Sequence, residues 1–307
     1  MIKHERGYLM RGDQFTKKAK SAVSFMVFTF PAVFLILLFV EIPFLANIGY
    51  SFTKWNGLER HPVFIGLENY LEILTMDSGA LEAIGFTLKF GFLITILLNI
   101  VSLGLAVLLD GKRVRNRNTL RAVFYIPNII SLIIIGYIWK FVFTRGFELF
   151  YAGTGWGVFR LSWLGDPQLA FWSVLWVSLW QGVGFYMIVY LAGLQSIPHD
   201  TVEAALIDGA GRVRQFFSIT LPLIMPSVTF CLFLSLVNAV KLFDIPLSLT
   251  FGGPGTATTS IAFDIYKEAF TFNRFGYATA KSVVLFGVTI VFSFIQLFIF
   301  KKREVEL

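Results

Sequence analysis

Residues Glu203–Pro222 read EAALIDGAGRVRQFFSITLP. Glu203, Asp208, Arg212, Arg214 and Gln215 stand here among the small residues Ala204, Ala205, Gly209, Ala210 and Gly211, while the chain on either side is apolar over lengths that fit a bilayer. A polar stretch rich in small residues, set between two membrane-length runs, is suited to pressing against another protein. Asp200 can cap a helix that starts at Thr201, and Gly209 is a natural place for that helix to end. A second short helix is expected near Gly211, with Val213, Phe216 and Phe217 on one face and Arg212, Gln215 and Ser218 elsewhere. Leu221 and Pro222 then open the next span, since proline tolerates an early helical position. The expected unit is a helix-turn-helix with a crest almost free of large side chains, where Ala204, Ala205 and Gly209 let the backbone enter a cleft. A plainer role for Glu203 is a capping box with Asp200, three residues earlier.

Working outward, the 307 residues are 56% hydrophobic, 17% aromatic and 15% charged, with a mean hydropathy of +0.72. A soluble domain averages about 45–50% apolar and about 25% charged, so the excess points to a membrane. The single cysteine, Cys231, lies in an apolar run, which excludes a disulfide framework, a cysteine zinc cluster and a redox CxxC. The net charge of +7 is concentrated in Lys3, Arg6, Arg11, Lys17, Lys18 and Lys20, in Lys112, Arg113, Arg115, Arg117 and Arg121, and in Lys301, Lys302 and Arg303. These clusters flank apolar runs instead of interleaving with exposed aromatics. The pattern is that of positive-inside loops and argues against a nucleic-acid partner.

A spanning helix needs about 20 mostly apolar residues. Six stretches qualify: Ala22–Ile48, Gly85–Leu109, Leu120–Phe143, Leu169–Leu194, Leu223–Leu247 and Tyr277–Phe300. The first is too long for a signal-peptide core and shows no A-x-A cleavage site, so it is expected to be retained. Backbone groups in lipid need internal partners, which makes these helices and not barrel strands. Placing the N-terminal tail, Gly111–Arg121, Gln195–Leu221 and the C-terminal tail in the cytoplasm leaves only Lys54, Arg60, Arg145, Arg160, Lys267 and Arg274 in outside loops. Both ends are therefore expected inside the cell. The layout is a basic tail (1–21), one polytopic domain (22–300, with 195–222 as its cytoplasmic loop) and a short tail (301–307).

In the first outside loop, Leu67, Tyr70, Leu71 and Leu74 recur at helical spacing, as in a short amphipathic helix on the membrane surface. The second, Thr144–Gln168, is rich in glycine and aromatics, and the third opens with the tight-turn signature GGPG at Gly252–Gly255. Glu41, Lys89, Lys140, Lys241, Asp244 and Lys281 fall in the outer parts of spans. Lysines there are expected to snorkel to the headgroups, and Lys241 and Asp244 are spaced to pair on one helix face. With only His4, His61 and His199, and no clustered Asp/Glu/His facing one membrane surface, neither metal nor acid–base chemistry has a visible site in the sequence.

The register E-A-A, three residues, Gly209, nine residues and then Ile219-Thr220-Leu221-Pro222 resembles the EAA loop of membrane subunits of binding-protein-dependent ABC importers. YLAGLQSIP at Tyr190–Pro198, KLFDIPLSLTFGGPGTAT at Lys241–Thr258, FGYATA at Phe275–Ala280, FYIPNIIS and WLGDP at Trp163–Pro167 are similar, in the same order, to maltose- and glycerol-phosphate-type permeases. The large periplasmic insertion of the enteric maltose subunit is absent from these short outside loops. The resemblance implies an all-α integral membrane protein of the type I ABC importer fold, with six transmembrane helices and a cytoplasmic coupling helix-turn-helix. It implies the cytoplasmic membrane of a bacterium or archaeon, a second, non-identical permease subunit, a pair of ATPase subunits and an extracytoplasmic sugar-binding protein.

In that family the EAA helix docks in a groove of the ATPase. The coupling residues here would be Glu203, Ala204, Ala205, Asp208, Gly209, Ile219, Leu221 and Pro222, with Glu203 meeting a basic residue of the ATPase. This chain has no GxxxxGK[ST], and Gly153–Gly157 (GTGWG) falls in an outside loop. ATP and magnesium are accordingly expected on the partner, with no cofactor and no catalysis in this chain. For the substrate path, Asn99, Gln181, Tyr186 and Asn238 are neutral hydrogen-bonding residues well inside spans, with Trp180 beside them. Sugars are held by such groups together with aromatic faces, although hydrogen bonds between helices explain each residue equally well. A di- or oligosaccharide is the expected cargo, with glycerol phosphate or another small polar solute as alternatives. An ion-coupled transporter is disfavoured by the lack of an ionisable relay at the midplane.

Overall fold

A computed structural model describes residues 25–111, 114 and 116–301. The basic tail (1–21), Lys112, Arg113, Arg115, Lys302 and Arg303 lie outside the described residues. The chain is helical almost throughout. Helices α1 (Phe25–Tyr50), α3 (Ser78–Asp110), α6 (Pro167–Gln195) and α11 (Phe275–Lys301) are each long and apolar enough to cross a membrane. At 1.5 Å per residue, the 33 residues of α3 extend about 50 Å, longer than the roughly 30 Å of a hydrocarbon core.

Two further stretches reach membrane length only as pairs of helices bent at a short break, which makes up to six spans. The expected third span is α4 (Arg117–Ile129) followed by α5 (Leu132–Thr154), and the two meet at 98°. Pro127 inside α4 has no N–H for the carbonyl one turn earlier. Ile130 and Ser131 then turn extended, at ψ 140° and 133°. Beyond the break α5 runs well past Phe143, the expected end, and stops only where Gly155 takes φ +70°. The expected fifth span, Leu223–Leu247, contains α9 (Met225–Val240), and α8 (Arg212–Leu223), the second helix of the preceding loop, meets it at 72° across Ile224. Pro226, not Pro222, opens α9, so Pro222 closes the preceding helix. Helix α9 also ends seven residues short of Leu247, because Lys241 leaves helical geometry at φ −88°, ψ 11°.

The core is built on α3, α6 and α9. Phe86, Phe90, Phe171, Val174, Ile245 and Leu249 pack in one half, and Leu98, Leu109, Met187, Tyr190, Leu191 and Ile224 in the other. Helices approach closely where a glycine removes the side chain. At Gly184 of α6 a Cβ would run into the Phe124 carbonyl of α4, so those two backbones touch directly.

The loop-rich end carries a two-residue ribbon, β1 (Thr53–Lys54) with β2 (Val63–Phe64), paired antiparallel. Asn69 holds it by donating to the Ser51 and Thr53 carbonyls at 2.8 and 3.0 Å. The expected amphipathic helix is α2 (Glu68–Thr75). Leu67, Leu71 and Leu74 are exposed along it as expected, but Tyr70 turns inward, its hydroxyl 2.6 Å from Ser51 Oγ. The third loop contains an element that was not anticipated, α10 (Ile261–Tyr266), continued by a π-turn at Lys267–Thr271.

Candidate functional site: an exposed hairpin and a polar cavity

At the end opposite the ribbon, α7 (His199–Ile207) and α8 form the expected helix-turn-helix. Helix α7 stops because Gly209 adopts φ +76°, a conformation glycine takes without cost. Asp208 N donates to Ala204 O and Ala210 N to Ala205 O, both at 3.0 Å, closing the helix end. Gly211 is extended and α8 begins at Arg212, as the residue pattern predicts. The Glu203 carboxylate is exposed and has no partner among the described residues, so it completes no capping box with Asp200. Ala204, Asp208 and Gly209 are exposed beside it, with Ile207 at 86% and, on α8, Val213 at 73% and Phe217 at 61% exposure. Ala205 differs from its expected place at the crest. It is buried and faces the body of the chain, together with half-buried Ile219, Leu221 and Pro222. The eight residues thus divide into a free crest and the base that holds it. A mixed charged and apolar surface of this kind is suited to a protein partner.

The second feature is a cavity of about 490 Å³ between α3, α4, α6 and α9. Gln181, Tyr186 and Asn238 of the expected path line it, and Asn238 Nδ2 donates to the Tyr186 hydroxyl at 3.3 Å. Asn99 and Trp180 do not line it. Asn99 is buried and joins three helices, donating to Thr95 O at 2.7 Å and Ser235 Oγ at 2.9 Å and accepting from the Tyr190 hydroxyl at 2.6 Å. Its hydrogen-bonding capacity is spent on packing. Trp180 lies edge-on to Trp139, with ring centroids 5.5 Å apart. The cavity wall includes five polar residues that residue pattern alone does not place there, namely Asn128, Ser178, Ser235, Lys241 and Asp244. Asn128 reaches it because α4 breaks just beyond that residue.

Lys140 is exposed, but the snorkelling expectation fails for Lys281. Its side chain is 1% exposed, with Nζ 2.8 Å from Asp77 Oδ2, 2.6 Å from Asp264 Oδ2 and 3.0 Å from Glu268 Oε1. The Tyr277 hydroxyl donates to Asp77 at 2.7 Å, and Arg274 pairs with Glu72 and Glu268. Three carboxylates that lie close enough to hold a metal ion are thus gathered around an ammonium group. Burial alone would raise the Asp77 carboxyl, but hydrogen bonds from Lys281, Tyr277 and the Ala80 N–H outweigh it and hold the pKa down at about 2. The expected pair of Lys241 and Asp244 on one helix face is also absent. Helix α9 has ended, and neither side chain has a hydrogen-bond or ion-pair partner among the described residues.

Residues 102–305 match the family described as "Binding-protein-dependent transport system inner membrane component". The chain is 40% identical over 296 residues to the probable starch degradation products transport system permease protein AmyD of Thermoanaerobacterium thermosulfurigenes, covering 95% of this chain and 99% of the relative. It is 36% identical to the multiple sugar-binding transport system permease protein MsmF of Streptococcus mutans, covering 90% and 96%. Among solved structures, a subunit of a bacterial ABC transporter that imports the acidic polysaccharide alginate superposes with a TM-score of 0.79. It covers 94% of this chain and 99% of that one at 22% identity, which is a likeness of fold.

Proposed function

The chain belongs to the family of binding-protein-dependent transport system inner membrane components, and from that premise we propose that it is the permease subunit of an ATP-driven importer whose cargo is a di- or oligosaccharide. The observation that carries the reading is the α7–α8 hairpin, which presents Glu203, Ala204, Ile207, Asp208 and Gly209 unpartnered at one end of the bundle. The names of the relatives, one for starch degradation products and one for multiple sugars, support a saccharide.

In this reading residues 22–300 are the permease domain, both chain ends are cytoplasmic, and the hairpin seats in a groove of an ATPase subunit that holds ATP and magnesium. Closure of the ATPase pair rocks this chain against a second permease subunit, and a binding protein delivers the sugar at the loop-rich end. The cavity bounded by Gln181, Tyr186 and Asn238 is the path. Amides and a phenol can exchange hydrogen bonds with sugar hydroxyls while Phe185 and Phe243, also in its wall, cover C–H faces.

The test is Glu203→Lys or Gly209→Pro in the assembled complex. Each variant is expected to cut sugar uptake at least tenfold while the chain still inserts and the ATPase still hydrolyses ATP. Normal uptake by either variant removes the hairpin as the coupling element.

A further inference from the structure

Lys241 and Asp244 stand in the cavity wall without partners. Helix α9 releases the backbone at Lys241, and the following turn is pinned on both sides. The Leu242 carbonyl accepts from Ser260 Oγ, the Asp244 carbonyl accepts from Ser248 Oγ at 2.7 Å, and Ile245 is in the core. The two charged side chains therefore project from a fixed backbone. They line one cavity with Asn128 and Gln181, and no described residue bonds to the side chain of any of these four. Asp244 is half-buried and Lys241 exposed, so both stay open to a solute that enters the cavity, and polar groups left without an internal partner are free to bond an external one.

We propose that Lys241 and Asp244 are the selectivity pair of this cavity, accepting an uncharged polyhydroxylated solute and rejecting an anion. The inference rests on the cavity being the substrate path. A carboxylate accepts hydrogen bonds from two adjacent hydroxyls at once, and an ammonium donates to a ring or hydroxyl oxygen. Asn128 and Gln181 can do either. The charged wall sums to zero, so a neutral saccharide enters without a net Coulomb penalty. A phosphate or uronate would meet Asp244 with a single cation to offset it.

The experiment measures uptake by the complete complex, with the same unmodified binding protein in every arm. The probes are the best-transported of maltose, trehalose and raffinose, and glycerol 3-phosphate as the anion. Asp244→Asn is expected to raise the half-saturating concentration for the saccharide at least tenfold and to shift the saccharide-to-anion uptake ratio at least threefold toward the anion. Lys241→Met is expected to lower saccharide uptake without admitting the anion. Asp244→Glu should recover part of the saccharide affinity, which a merely structural role would not require, and the melting temperature of each variant checks folding. If Asp244→Asn and Lys241→Met match wild type on both probes while Asn238→Ala or Gln181→Ala impairs uptake, the selectivity pair is wrong and the path stands. If all four variants match wild type, the path reading falls and this inference with it.

Discussion

Lys281 is the residue whose environment departs most from its pattern. Within a span it reads as a lysine reaching for headgroups, yet its ammonium is enclosed by Asp77, Asp264 and Glu268. Those partners come from three other places in the chain, the residue before α3, helix α10 and the π-turn after it, and no local spacing announces their meeting. Lys281→Met should leave three carboxylates facing one another and lower stability by about 3–5 kcal/mol. The purified chain should show this as a clear drop in melting temperature, partly restored by adding Asp264→Asn and Glu268→Gln. Asp77 adds a pH dependence. Its folded pKa of about 2 lies below the unfolded value of about 3.9, so its stabilisation is fully present above about pH 4 and is lost as pH falls toward 2. Asp77→Asn should flatten the unfolding midpoint across that window. An Asp77→Asn protein with wild-type acid sensitivity contradicts this account of the cluster.

Among the elements, the apolar runs and the hairpin were legible because each is a local property: length and hydropathy for the spans, Gly209 and Gly211 for the turn. The two bends were less so. Pro127, Pro222 and Pro226 are visible in the sequence, but a proline near a helix end is compatible with either a straight or a broken span. Which occurs depends on packing such as the contact of Gly184 with the α4 backbone at Phe124. Gly184→Val should force α4 from α6 and lower the melting temperature by several degrees, since a branched side chain has no room there. Gly209→Ala gives the opposite signature. Its Cβ would meet nothing among the described residues, so the isolated protein should lose only about 1–2 kcal/mol, from the left-handed backbone. A larger loss in ATPase binding than in stability would place the partner against that glycine. Equal losses would argue that nothing seats there.

For the whole molecule, α1 contributes a hydrophobic window with no buried residue, and in α11 only 6% of the window is buried. The chain on its own therefore leaves two of its spans largely uncovered, to be met by lipid or by a second subunit. The cavity, too, was only partly legible. Gln181, Tyr186 and Asn238 are where a polar residue in a span suggests a path, whereas Asn99 satisfies the same rule and is a strut between helices. Composition cannot separate the two, because the distinction is whether the folded helices leave the side chain in the cavity wall or enclose it between them. The central claim is that ATP hydrolysis on a partner drives solute through this chain. Uptake of a labelled saccharide into proteoliposomes holding the complete complex, with binding protein added outside, tests it directly. The account predicts uptake only when ATP is enclosed with the ATPase, and loss of that uptake in Glu203→Lys. Uptake driven by a proton or sodium gradient without ATP would contradict it.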